Sequence, residues 1–198
     1  MKTVESLVMR KLIIGSLMAA LALPSAVWAT PYKMDKAHAH LVFAVDHLGF
    51  SVVRGRFAEF DAEIDFDPDD PEAATINLKI ETDSVTSFSN TRDKAIVSKS
   101  LLHADKHPMI TFVSTEVELL DGNDAMVTGD LTIRGVTREE SFKATMRRAG
   151  VNPLTMRDTV GFAVEGKIDR RDYEMTWGVG AIGAIVDFNF DLEAYIEE

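Results

Sequence analysis

The chain contains no cysteine, which excludes disulfides, thiolate metal ligands, a cysteine nucleophile and a lipid-modified cysteine. It has no basic surplus: 21 Lys and Arg stand against 32 Asp and Glu, a net charge of -11. Nucleic-acid binding needs a clustered Lys/Arg surface that releases counterions from phosphates, and this balance opposes it. It equally disfavours resting on an anionic bilayer surface. The apolar run at residues 12–23 falls short of the roughly 20 residues that span a bilayer core. Internal repeats, glycosylation sequons, a Gly-x-Ser-x-Gly elbow and a phosphate-cradling glycine loop are also missing. What remains is an ordinary globular composition, 46% hydrophobic and 27% charged, in 198 residues that fit a single core.

Residues 1–29 read as an export signal. Arg10 and Lys11 form a basic start, residues 12–23 an apolar segment, and Pro24 a break. Val27-Trp28-Ala29 offers permissive residues to a signal peptidase, so cleavage is expected after Ala29, leaving residues 30–198 as the mature domain. Translation starts at Met1 or at Met9, which directly precedes the basic pair. An exported, disulfide-free acidic protein without sequons points to a bacterial periplasm.

From residue 38 onward the dominant period is two. Leu41, Phe43 and Val45 share one face of a strand, and residues 63–67, 75–81 and 186–192 alternate in the same way. Such alternation makes a sheet with one apolar and one wet face. Asp121-Gly122 and Arg134-Gly135 mark hairpins, so the sheet is mostly antiparallel, and about eight strands suggest a closed barrel or a sandwich. Residues 91–102 lack alternation, carry Asp93 early and Lys99 late, and predict one short helix. Residues 148–158 and 174–184 read as irregular loops, and residues 170–173 as a polar turn.

The stretch from His38 through Leu41, Phe43, Asp46 and His47 to Gly49 resembles the opening signature of the YceI-like family. Gly55-Arg56-Phe57, Ser84-Val85-Thr86, Arg92-Asp93, residues 108–112 and residues 129–137 continue that pattern in order. The resemblance covers essentially all of residues 30–198. It implies a lipocalin-like, antiparallel eight-stranded β-barrel, export, and non-catalytic binding of a polyisoprenoid, a quinone-type tail or another long amphiphile in the pore, with no cofactor. Ala39, Ala95-Ile96 and Glu174 stand where the family usually has other residues, close to the expected pore mouth.

The pore-lining candidates are Phe43, Val45, Phe57, Phe60, Ile80, Phe112, Ile133, Phe162, Trp177, Phe188 and Phe190. Alternation alone reads as a filled core, as in most small barrels; the resemblance favours an open tube. Burying one five-carbon isoprene unit would gain roughly 3–4 kcal/mol gross, so a few units exceed association costs of about 4–15 kcal/mol. His38, His47 and Arg92 are candidates for touching a head group. His38 and His40 share a strand face and His103 and His107 are four apart, but no carboxylate spacing completes a metal set, and none is expected. The alternative function is an enzyme acting on a lipid or isoprenoid in the same pocket, with His38 or His47 as general base.

Overall fold

The computed structural model describes residues 30–197; the expected export signal lies outside them. The alternating segments form β1 (Thr30–Met34), β2 (His40–His47), β3 (Ser51–Phe57), β4 (Phe60–Phe66), β5 (Thr75–Glu81) and β6 (Val85–Thr86). After the helix α1 (Asn90–Ile96) come β7 (Met109–Leu119), β8 (Asp124–Ile133), β9 (Val136–Val151), β10 (Asp158–Asp169) and β11 (Ile182–Tyr195). Every pairing between these strands is antiparallel. Eight of them close a barrel in the order β1, β4, β5, β7, β8, β9, β10, β11 and back to β1.

Closure depends on the length of β11, which takes two partners in series along one edge. Residues 182–191 pair with β2, whereas Ala194 and Tyr195 pair with Met34 and Lys33 of β1. A 3-10 turn at Lys36–His38 offsets β1 from β2, and Asp35 caps it by accepting the Ala37 N–H at 2.9 Å. β1 runs on to β4 and seals the ring, while β2 carries β3, and β3 carries β6 only at Arg56 and Phe57. The β2–β3 hairpin therefore extends the wall at one end. That end, where the Leu48 N–H donates to Ala181 O at 2.9 Å, is the upper pole. The 120–123 and 152–157 turns mark the lower pole.

The hairpin expected at Arg134-Gly135 is a two-residue turn with φ 53° and 77°, which matches the twist of its flanking strands. The helix is shorter than residues 91–102. The Ser98 hydroxyl donates to Ala95 O at 2.7 Å, competing with the backbone ladder, and the chain then turns tightly, with Leu102 N–H donating to Ile96 O. This tight turn buries Leu102. Both expected loops are also shorter, because β9 extends to Val151 and β11 begins at Ile182. The Asn152 side chain accepts the Leu154 N–H at 2.9 Å, which permits the abrupt reversal between β9 and β10.

Packing is densest low on the side of β1, β4, β10 and β11. Val160 and Ala194 face each other across the ladder and have no exposure. Phe66 meets Tyr32 and Phe162 edge-on, at ring separations of 6.1 and 5.3 Å. Full burial of Val160 and of Phe66 contributes about 1.5–3 kcal/mol each. Outward positions on β4 are Asp61, Glu63 and Asp65, so the alternation that builds the core also makes the wet face.

Candidate ligand-binding tube

The inward faces do not meet in the middle. They enclose a cavity of about 870 Å³, near the upper end of the roughly 300–1,000 Å³ typical of small-molecule sites. Its wall runs from His47, Ser51 and Trp177 at the upper pole to Leu119 and Asn123 at the lower one. Phe43, Val45, Leu78, Phe162, Val164 and Phe188 point inward yet remain half-buried, because the lumen beside them holds no protein atoms.

Three strand glycines let aromatic rings lie against this wall instead of across it. A Cβ at Gly55 would stand 2.4 Å from Phe43 Cζ; at Gly129, 2.7 Å from Phe112 Cζ; at Gly166, 2.5 Å from Phe142 Cδ1. Each ring occupies the space a side chain would have taken.

Ten of the eleven pore candidates border the cavity: Phe43, Val45, Phe57, Ile80, Phe112, Ile133, Phe162, Trp177, Phe188 and Phe190. Phe60 does not. It stands edge-on to Phe190, with ring centres 5.5 Å apart, and fills wall rather than lining lumen. Phe142 and Leu78, which are not among the eleven candidates, also line the tube, and their inward phase is visible in Ser141-Phe142-Lys143 and in residues 75–81.

The polar candidates separate. His47 borders the cavity at the upper pole, inward like Phe43 and Val45 on the same strand. His38 is outside the barrel, its Nδ1 2.9 Å from Asp35 Oδ2. Asp35, His38 and Glu193 bring possible ligand atoms within 4.8 Å of one another, so carboxylates do adjoin a histidine there, on the outer surface away from the tube. The hydrogen bond to Asp35, followed by its charge, holds the His38 imidazole above its ordinary pKa. His103 and His107 stack edge-on at 5.6 Å, apart from His38 and His40.

Arg92 borders the cavity and holds Ser87, donating from Nε to the hydroxyl at 2.7 Å and from its terminal nitrogen to the carbonyl at 2.5 Å. Asp93 accepts the Ser87 N–H and hydroxyl at 2.7 and 2.5 Å. These bonds to Ser87, more than the Arg92 charge, hold the Asp93 carboxyl below the usual range. The pair thus clamps a buried serine beside the cavity wall.

Arg170 departs furthest from expectation. In place of a polar surface turn, the structure has a 3-10 turn, Arg170–Tyr173, with Arg170 only 4% exposed on the cavity wall. Its guanidinium donates to the carbonyls of Met175, Trp177, Ile182 and Gly183. One rigid fork thereby fixes the loop that carries Trp177 over the upper pole.

A YceI-like domain model matches residues 32–194. The chain belongs to the YceI-like family. Protein YceI of Escherichia coli O17:K52:H18 is 37% identical over 189 residues, covering 93% of this chain and 97% of that one. The crystal structure of the Campylobacter jejuni YceI protein superposes with a TM-score of 0.69 at 29% identity, covering 77% of this chain and 90% of the other. A polyisoprenoid-binding domain from Saccharophagus degradans, implicated in plant cell wall breakdown, shares the YceI-like fold with a TM-score of 0.64 at 18% identity, covering 84% and 98%.

Proposed function

We propose that this protein binds a long-chain amphiphile, a polyisoprenoid or a quinone-type lipid, and stores or transfers it in the periplasm without altering it. The observation that carries this reading is the long cavity of about 870 Å³ whose inward aromatic and aliphatic side chains remain half-buried. A flexible apolar chain fits such a lumen, and each buried carbon group adds about 0.8 kcal/mol. The name of the Saccharophagus degradans neighbour and membership of the YceI-like family support the same ligand class. The cavity wall carries polar side chains at both ends, His47, Ser51 and Arg92 above and Asn123 and Asp124 below; in this reading the head group sits at the upper end, which holds the cation, and the tail runs downward. Export rests on the basic and apolar segments of residues 1–29.

Native mass spectrometry of the protein taken from its own periplasm, followed by organic extraction, tests the reading. One lipid class at near-stoichiometric occupancy is the expected result. A bare mass that also refuses added polyprenols and quinones would overturn it. Recovery from the cytoplasm would overturn the assignment to the periplasm.

A further inference from the structure

A tube that loads a water-insoluble chain has to meet the phase in which that chain resides. The two poles differ in how they could do so. Residues 40–59, 81–110, 130–140 and 165–187, cut so that cross-strand partners stay together, build the upper half, and they carry eleven Lys and Arg against fourteen Asp and Glu. The rest of residues 30–197 carries seven against sixteen. The acidic excess therefore falls mainly on the lower half, where β4, the 67–72 turn and the β7–β8 hairpin are rich in carboxylates.

Apolar side chains stand free around the upper opening. Phe50 on the β2–β3 turn is 90% exposed, Phe88 just before α1 is 82% exposed, and Trp177 on the Arg170-fixed loop is 56% exposed. Leu48 and Phe88 also hold left-handed backbone, φ 57° and 63°, a conformation unfavourable for such side chains. An exposed apolar rim continuous with an apolar cavity marks a contact surface, and Phe and Trp are residues that enter the interfacial zone of a bilayer.

We propose that the upper pole docks transiently on a lipid bilayer, rim first, so that an apolar chain passes into the tube without crossing water. The charge distribution selects this occupant and this orientation. β11 alone spans roughly 43 Å at about 3.3 Å per residue, several times the Debye length of about 8 Å at physiological ionic strength. With the rim on a membrane, the lower carboxylates are screened from anionic head groups. In the reverse orientation they press against them and are repelled. The net acidity that opposes adsorption of the protein as a whole thus becomes an orienting device, and it limits residence once the chain is loaded.

The inference rests on the lipid-binding reading, and its test separates the two. The protein is mixed with phosphatidylethanolamine/phosphatidylglycerol vesicles carrying a fluorescent farnesyl probe, and both flotation and probe transfer are followed. Phe50→Ser with Phe88→Asn alters the rim outside the tube wall; Leu154→Ser with Met156→Ser alters the exposed apolar turn of the lower pole. The rim variant is expected to float less and to take probe from vesicles about tenfold more slowly, while binding freely dispersed probe as the unsubstituted protein does. The lower-pole variant is expected to keep both rates. A rim variant that floats and transfers at the original rate, or a loss confined to the lower-pole variant, overturns the docking proposal. Failure to bind dispersed probe would instead overturn the tube, and flotation would still decide docking.

Discussion

Phe188 and Gly166 face each other across the β10–β11 ladder, and a Cβ on Gly166 would come within 2.6 Å of Phe188 Cε1. Phe142 closes on the same glycine from β9, with its ring centre 4.8 Å from that of Phe188 and the rings nearly perpendicular. Gly166→Ala therefore displaces two rings at once, and the lumen is the space open to them. The variant is expected to lose about 1–3 kcal/mol of stability, the range for overpacking. Its capacity for a long chain should fall with it. Urea denaturation beside a polyprenol-binding titration reads both effects; unchanged binding would show that the rings do not bound the occupied part of the tube.

Much of this wall was legible because strand periodicity assigns a face without a structure. Phe43, Val45, Phe188 and Phe190 point inward, as their alternation requires. Phe60 has the same inward phase, but Phe190 leans against it, and no period of two encodes which of two inward rings covers the other. Arg170 was illegible for another reason. In sequence it is one of two adjacent arginines before Asp172, a polar turn by any propensity, and its acceptors are four main-chain carbonyls that composition does not reveal. His38 and His47 looked alike as head-group candidates, whereas the cap at Asp35 puts one outside the barrel and strand phase puts the other inside.

Arg170→Met removes that fork while roughly keeping the buried volume. Four carbonyls then lose a donor in a partly dry site, and each group left unsatisfied costs about 1–3 kcal/mol. A total loss of about 3 kcal/mol or more is expected, together with faster hydrogen exchange in residues 174–183. Arg170→Lys should recover only part of it, since an ammonium cannot reach four acceptors in the geometry of a planar guanidinium. A lysine variant as stable as the original would show that charge alone suffices.

Two carboxylates predict the acid limb of stability. Hydrogen bonds from Arg171 hold Asp169 down at about 2, and hydrogen bonds from Ser87 hold Asp93 below its ordinary value. A folded pKa below the unfolded value of about 3.9 gives stability that is present above that value and lost as pH falls through the folded one. The urea midpoint should therefore hold from pH 6 to about 4 and decline below it. Asp93→Asn should lower the plateau and flatten the decline; an unaltered slope would remove Asp93 from the linkage.

His38 acts in the opposite direction on the pH axis. Its imidazole pKa is raised by Asp35, so its contribution is present below the unfolded value of about 6.5 and is lost as pH rises through the folded one. Proton NMR of the ring should show a midpoint above 6.5 that returns toward it in Asp35→Asn. Polyprenol binding should not follow this titration, because the ring lies outside the tube. Binding that did follow it would place a titrating group at the head of the ligand.

Val164 offers the sharpest test of whether the lumen is space or merely loose packing. It sits midway along β10, opposite Phe190 and Ala144, half-buried on the cavity wall. In a filled core, Val164→Trp would force its neighbours off their rotamers and cost about 1–3 kcal/mol. In an open tube the indole extends into the lumen, gains apolar contacts and leaves the barrel at least as stable. It also blocks the path between the poles, so long polyprenols should be refused while a short prenol still enters from the upper side. A thermal melt and a chain-length series distinguish the outcomes: stability retained with long chains excluded is expected, and destabilisation with chain-length selectivity unchanged would show that no continuous tube exists.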